Sequence, residues 1–270
     1  MLLTYHPGEP LASYVEKLWY CDGSQVVYRN KRVLPNGRFQ LFISLSDAPL
    51  QGPGGTMGES GQRASSLVVG MSSRFSWLDT SKLQSAMGVM FWPGGARAFF
   101  DGEADTFHNK SVPLEFIWGP LASQIRGQLR DASIPTEKFQ LLESTLLDRR
   151  SKRIELHLAV RYALGEFARK PHIHSVLNMA REAGLSRRRF AQLFREQVGL
   201  TPKLYCRLRR FQKVLRQIAA GAPVDWADVA LAEGYCDQAH LANEFRSFSG
   251  ISPNAYLASQ RTSAADLRLD

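Results

Sequence analysis

Two stretches near the C-terminus, AREAGLSRRRFAQLFREQVGLTP (residues 180–202) and ALAEGYCDQAHLANEFRSFSGISP (residues 230–253), decide how this sequence folds. They form an imperfect repeat, with the first part matched at an offset of 50 residues and the rest at an offset of 51. The matched positions are Ala180/Ala230, Gly184/Gly234, Phe190/Leu241, Phe194/Phe245, Gly199/Gly250 and Pro202/Pro253. One residue has therefore been added in the turn, and the remainder keeps its register.

Each copy predicts a helix, a short turn and a second helix. Gly184 and Gly234 suit the left-handed residue that ends a first helix. Ser186 and Asp237 follow where a side-chain oxygen is needed to cap the start of a second helix. The apolar pair Phe190 and Phe194 in the first copy has the spacing of a buried helix face. This pattern predicts a helix-turn-helix unit, present twice.

The segment between the two units predicts a long connecting helix. Pro202 stands at its start, and the segment runs to about Ala219 with apolar residues on one face. A helix of about 17 residues is ~25 Å long. It could hold two recognition helices roughly one turn of B-DNA apart, about 34 Å.

The charge of the chain is concentrated in the same region. Residues 1–150 carry 15 Lys and Arg against 14 Asp and Glu, whereas residues 151–270 carry 19 against 11. A near-neutral domain joined to a basic one indicates a polyanionic partner, here double-stranded DNA. A membrane-surface helix is the alternative for the basic stretch 185–217. The repeat argues against it, because a lipid anchor needs no second unit with matching glycines and caps.

The N-terminal part has a different pattern. Residues 11–110 are β-rich, with short apolar segments separated by Pro and Gly turns; the segments are 26–34, 38–45, 67–71 and 86–92. Helical spacing follows at 113–131, 136–149 and 153–168, and the glycine-rich stretch 54–66 is expected to be a loop. We therefore predict an α+β chain of two domains, a β-rich domain with trailing helices (1–150) and an all-α double helix-turn-helix domain (154–260).

The residues of the two units, GLSRRRFAQLFREQVGLTPKLY and GYCDQAHLANEFRSFSGISPNAY, resemble the DNA-binding domain of AraC/XylS-type transcriptional regulators. The resemblance covers about 154–260. It implies a transcription regulator, an activator or a repressor, that binds a promoter or operator, and it allows RNA polymerase as a further partner.

Three upstream stretches resemble the N-terminal domain of one subgroup of these regulators, namely RVLPNGRFQLFISLSD (32–47), GVMFWPGGARAFF (88–100) and HNKSVPLEFIWG (108–119). In better-known members this domain is a cupin-like barrel that binds a small effector, so the resemblance implies a barrel, an effector and a homodimer as expectations. The aromatic β segments supply the candidate effector pocket, formed by Phe39, Phe42, Phe91 and Trp92. An N-terminal domain that only dimerises, leaving a DNA-binding scaffold without effector, is the open alternative.

The outer face of each second helix is expected to enter the major groove. Arg bonds guanine and Gln or Asn pairs with adenine, each worth ~1–3 kcal/mol of discrimination. The resemblance places base contacts at the matching positions, which here are Arg188, Gln192, Gln238 and Asn243. The neighbouring basic residues are expected to bind phosphate or to pair with acids; they are Arg187, Arg189, Lys203, Arg207 and Arg210.

Other functional classes lack their motifs. The sequence has no GxSxG, P-loop or HExxH motif, so no enzyme, cofactor or metal is expected. His172 and His174 share one side of an extended stretch but have no evident third ligand. A DNA-repair alkyl-acceptor protein would need a zinc-bound cysteine, and the spacing of the three cysteines does not match that arrangement. Without an export signal or a long apolar run, a cytoplasmic protein with no membrane partner is expected.

Overall fold

The computed structural model describes residues 1–22, 31–47, 64–78, 85–151, 155–169, 176–221 and 224–266. The six-stranded antiparallel sheet of its N-terminal half has the order β1-β2-β7-β4-β5-β8. Its strands are β1 (Leu2–Tyr5), β2 (Val15–Asp22), β4 (Gln40–Ser44), β5 (Ser66–Val69), β7 (Ser85–Phe91) and β8 (Ser111–Pro113). A second, two-stranded sheet pairs β3 (Lys31–Val33) with β6 (Ser76–Leu78).

One face of the large sheet is buried because successive side chains point to opposite faces and those on one face are apolar. Leu41 and Ile43 of β4 are fully buried, as are Met87, Val89 and Phe91 of β7. Among the described residues, β1 and β8 are the edges of this sheet. A cupin-like barrel therefore stays an expectation.

The helices that follow pack back onto the sheet. They are α1 (Glu115–Trp118), α2 (Pro120–Asp131) and α3 (Pro135–Arg149). The buried Lys138 of α3 donates to the carbonyl oxygens of Leu129 and Ala132 and so satisfies the C-terminal end of α2. Arg126 of α2 donates to the carbonyl oxygens of Ser44 (2.8 Å) and Ser46 (2.7 Å) at the end of β4. These bonds tie the helices to the β-rich part of the chain.

The C-terminal part is entirely helical among its described residues. Its elements are α4 (Leu158–Arg169), α5 (Val176–Glu182), α6 (Arg187–Val198), α7 (Pro202–Ala219), α8 (Trp226–Ala232), α9 (Gln238–Ser249) and α10 (Pro253–Asp266). Phe194 packs on Phe167 and Tyr205, with ring centroids 5.9 and 5.6 Å apart. Phe211 of α7 packs on Phe245 and Phe248 of α9, both at 5.1 Å. The long helix α7 thus contributes to the aromatic core of both units, and the predicted α+β fold is confirmed.

Several predicted elements differ in detail. The helix predicted over 113–131 is broken, because Gly119 adopts a positive φ of 59° and Pro120 starts a new helix. Strand β1 precedes the stretch predicted to be β-rich. The expected loop at 54–66 and the expected strand at 26–34 lie largely outside the described residues.

Candidate nucleic-acid interface

Both helix-turn-helix units have the predicted turn and cap. Gly184 and Gly234 have φ angles of +66° and +72°, a region that other residues adopt at a cost. The hydroxyl of Ser186 accepts a hydrogen bond from the Arg189 amide at 3.2 Å. The carboxylate of Asp237 accepts one from the His240 amide at 2.7 Å. The first unit is therefore α5–turn–α6 and the second is α8–turn–α9.

The apolar stripe of each second helix is buried, so its other face is left to solvent. Phe190 and Phe194 are 0% exposed in α6, and Leu241 and Phe245 are 1% and 2% exposed in α9. The four residues predicted to read bases are all exposed with the N-terminal domain in place; they are Arg188, Gln192, Gln238 and Asn243. Their role as base contacts stays a prediction.

The two caps define which positions of α6 and α9 are equivalent. Because Ser186 and Asp237 are both N-caps, Gln192 is equivalent to Asn243. Arg188 is equivalent to Ala239, which has no polar group to offer a base edge. The first unit therefore presents a charged donor at a position where the second presents a methyl group.

Three of the five residues predicted to bind phosphate or pair with acids are exposed, namely Arg187, Arg189 and Lys203. The other two pair with an acid. Glu244 of α9 accepts hydrogen bonds from Arg207 Nε at 2.6 Å and from Arg210 Nη2 at 3.3 Å. Arg210 also donates to the Gly234 carbonyl at 2.9 Å. Arg207 and Arg210 thus brace α7 against the second unit.

Aromatic rings complete this bracing network. The Arg210 guanidinium lies 4.8 Å from the ring centre of Tyr235, and the Arg207 guanidinium lies 5.6 Å from that of Phe248. Burial, with Glu244 nearby, raises the pKa of Tyr235, so its phenol stays neutral beneath the cation. The sequence showed the acidic balance of the second unit but not that Glu244 would be buried against α7.

The N-terminal part contacts the first unit at the C-terminal end of its recognition helix. Arg195 of α6 pairs with Asp105 at 2.9 Å, in the 3-10 turn Ala104–Phe107. A Cβ atom on Gly199, the C-cap of α6, would lie 3.2 Å from the Phe39 ring. These contacts were not predicted, because sequence spacing gives no signal for a pair 90 residues apart.

The connecting helix and the second unit meet the N-terminal part as well. Gln212 of α7 donates to the Pro35 carbonyl at 3.3 Å. Arg32 of β3 donates to the carbonyl of Ser249, the last residue of α9. The ring of Phe75 lies against Gly250, where an added Cβ would be only 2.2 Å from the ring. Both units and α7 are therefore held by the same β-rich domain.

Each of the four aromatic residues of the predicted effector pocket packs on another described side chain. Phe39 packs on Phe107 at 5.8 Å and Phe91 on Phe99 at 5.3 Å, and both are buried in the core. Phe42 packs on Trp19 at 5.2 Å. Trp92 lies beneath the Arg38 guanidinium at 5.1 Å and donates to the Ala12 carbonyl.

Within the described ranges, no cluster of three or more His, Cys, Asp or Glu side chains could hold a metal ion. His172 and His174 lie outside those ranges. None of the helices described here is both long and apolar enough to cross a membrane.

The fold and site define a protein with two helix-turn-helix units on one rigid helix. Residues 179–259 match the family model of a helix-turn-helix domain, and residues 3–113 match a domain of unknown function. The C-terminal part of the chain is therefore a helix-turn-helix domain of AraC type.

Solved structures similar to this chain include single domains and whole chains. The DNA-binding domain of AdpA in complex with a target DNA is 24% identical, with a TM-score of 0.36, and the match covers 39% of this chain and 95% of that one. The C-terminal domain of AraT, a response regulator from Geobacillus stearothermophilus, is 18% identical, with a TM-score of 0.37 and coverage of 39% and 88%. The apo form of a ToxT variant from Vibrio cholerae is 13% identical, with a TM-score of 0.46 and coverage of 91% and 97%. No curated protein matches the chain significantly.

Proposed function

We propose that this protein is a sequence-specific transcription regulator that binds a promoter through both helix-turn-helix units. The observation that carries the proposal is the pair of capped recognition helices whose groove-facing side chains are exposed in the full chain. Helix α7 has 18 residues, which makes it ~27 Å long. That length suits two half-sites roughly 34 Å apart on one face of the duplex.

The two units divide the work of binding. Arg188 and Gln192 of the first unit read guanine and adenine edges, and Gln238 and Asn243 read bases from the second unit. Arg187, Arg189 and Lys203 bind phosphates beside the first unit, because they are exposed cations next to the reading face. The second unit, residues 225–260, has one basic residue against five acids. The first unit therefore supplies most of the salt-dependent affinity.

The β-rich domain senses a small effector or holds two copies together. Support for a regulatory role comes from its contacts with α6, α7 and α9, through Asp105, Pro35 and Arg32 respectively. A change in that domain has direct routes to both units, which is what coupling between two sites requires. The test is whether a candidate metabolite shifts the melting temperature of the β-rich domain. Such a shift supports effector sensing, whereas a domain that only dimerises would show no shift with any candidate metabolite.

Substitutions in the first unit test the division between base and phosphate contacts. Arg188→Ala should lower affinity for the specific site by about 1–3 kcal/mol and leave random duplex less affected. Lys203→Ala should weaken both and reduce the salt slope by about one unit. Arg130→Ala, an exposed residue of α2 outside both units, is the matched control. Equal losses on specific and random DNA from Arg188→Ala would contradict its role as a base reader.

A further inference from the structure

One short segment of the β-rich domain, RVLPNGRF (residues 32–39), reaches both helix-turn-helix units. It begins within β3 and ends just before β4. Its first residue contacts the second unit, its middle contacts α7 and its last residue contacts the first unit. We name residues 32–39 the spanning segment.

The first end of the spanning segment holds the end of α9. Arg32 lies between the rings of Phe75 and Trp77, with its guanidinium 4.8 and 4.7 Å from the two ring centres. It donates to the carbonyl oxygen of Ser249, the last residue of α9, where a cation suits the negative end of the helix dipole. The Phe75 ring lies against the next residue, Gly250.

The other end of the spanning segment meets the end of α6 in a similar way. The Phe39 ring lies 3.2 Å from the place that a Cβ atom on Gly199 would take, and the Ala104 carbonyl oxygen lies 3.1 Å from it. Gly199 and Gly250 are equivalent in the repeat, and both end a recognition helix in the left-handed conformation, with φ of +94° and +76°. The β-rich domain therefore places one aromatic ring on the same position of each unit.

The middle of the spanning segment packs on α7. Gln212 donates to the Pro35 carbonyl oxygen at 3.3 Å, and a Cβ atom on Gly37 would lie 3.4 Å from the Leu208 side chain. Gly37 has a φ of +67°, which other residues adopt at a cost, so the turn that brings the segment onto α7 depends on glycine. The segment is thus anchored to α9, α7 and α6 in turn.

The spanning segment is similar in length to α7. An extended chain covers at most ~3.6 Å per residue, so the segment spans ~25 Å or less. The 18 residues of α7 span ~27 Å. Because long helices bend, α7 alone leaves the angle between the two units free to vary. A second link of similar length, fixed at the end of each recognition helix, restricts that freedom.

We propose that the spanning segment sets the distance and angle between the two recognition helices. Arg32 and Phe39 of the segment, and Phe75 beside it, are the positioning residues, and each acts through the end of a helix. The spacing of the half-sites that these helices read is then fixed by the β-rich domain as well as by α7. The inference rests on the proposed promoter binding for the meaning of that spacing, whereas the placement of the helices is a property of the free protein.

Spin labels test the placement of the two units in the full chain without DNA. One label is attached at Glu182→Cys on α5 and the other at the native Cys236 in the second turn, because both positions are exposed. Cys21→Ser removes the half-buried cysteine, and the buried Cys206 stays unlabelled. Pulsed electron–electron resonance should give one narrow distribution of distances between the labels.

Two double variants of this labelled chain are compared. Arg32→Gln/Phe75→Leu should widen the distance distribution, because it weakens both contacts with the end of α9. The control Arg130→Gln/Phe116→Leu makes the same two changes at exposed side chains of α2 and α1 and should leave the distribution narrow.

A duplex that the wild-type chain selects from a random pool tests the consequence for DNA. Each base pair inserted between its half-sites moves one of them by ~3.4 Å and turns it by ~35°. The wild-type chain and the control should prefer one spacing. Arg32→Gln/Phe75→Leu should lower the ratio of affinities between the best and the neighbouring spacing by roughly threefold, the size of a cation–aromatic contact at a half-exposed site. Its affinity for each half-site alone should equal that of the control.

A distance distribution that is as narrow in Arg32→Gln/Phe75→Leu as in the control overturns the proposal. An equal loss of affinity at every spacing, or a loss on single half-sites, overturns it as well, because general destabilisation has that effect. If the double variant does not fold, Arg32→Gln alone takes its place with the same two outcomes. If no duplex is selected, the proposed promoter binding fails, and the distance distribution in the free chain still decides this inference.

Discussion

Glu244→Gln tests whether Arg207 and Arg210 brace the second unit or serve the DNA. The Glu244 side chain is only 10% exposed and accepts from both guanidinium groups. Hydrogen bonds with a charged partner contribute ~1.5–3 kcal/mol, against ~0.5–1.5 kcal/mol for neutral ones. Losing the carboxylate charge from two such bonds costs about 2 kcal/mol. The larger cost of a fully buried broken pair, ~3–5 kcal/mol, does not apply because the Arg207 side chain is 34% exposed.

A loss of about 2 kcal/mol is roughly a 30-fold change in the unfolding equilibrium of the second unit. A probe specific to that unit is needed, since a chain of several domains need not unfold in one step. Trp226 of α8 supplies it, because it is the one tryptophan among residues 151–270 and its indole donates to Asn254. Fluorotryptophan labelling gives each of the five tryptophans its own resonance during urea unfolding.

Glu196→Gln on α6 is the matched control, because Glu196 makes no ion pair with the residues described. The control should shift unfolding by less than about 0.5 kcal/mol. If Glu244→Gln moves the Trp226 transition no further than Glu196→Gln does, the bracing role is refuted. Arg207 and Arg210 would then be free for phosphate, and Arg207→Ala should flatten the salt dependence of DNA binding.

Three further outcomes follow from burial and backbone geometry. Burial raises the pKa of the Cys206 thiol to about 12. Alkylation of the folded chain at pH 8 should therefore modify the exposed Cys236 and spare Cys206. Mass spectrometry with and without urea compares the modification of Cys206 in the unfolded and folded chain. Gly250→Ala should destabilise the chain by more than about 1 kcal/mol, because its φ is +76° and the new Cβ would meet the Phe75 ring at 2.2 Å. Gly127 lies within α2, and a Cβ atom added there would have no neighbour within 4 Å. Gly127→Ala should therefore raise the melting temperature slightly. Equal effects of Gly127→Ala and Gly250→Ala on stability would contradict this reasoning.

The sequence predicted the C-terminal domain more fully than the N-terminal one because its signals are local. A turn glycine, a capping Asp237 and an i, i+4 apolar pair all lie within one unit, so spacing alone reveals them. The partners of Arg195 and Arg32 lie far along the chain, at Asp105 and Ser249. The predicted pocket role stays a prediction, and the structure adds only that Phe39 and Phe91 are buried in the core.

The placement of these long-range contacts constrains how regulation could act. The β-rich domain touches α6 near Gly199 and α9 near Gly250, the C-terminal ends of the two recognition helices. The proposed reading residues Arg188, Gln192 and Asn243 remain exposed while those contacts are made. The domain therefore contacts the C-terminal ends of α6 and α9 and leaves exposed the face that is proposed to meet the groove. Because Arg32 of β3 donates to the last residue of α9, the proposed regulation is expected to alter the distance and angle between the two units. An effector should then change which spacings between the two half-sites the protein binds tightly. The affinity for each half-site alone should stay the same, because the reading faces remain accessible.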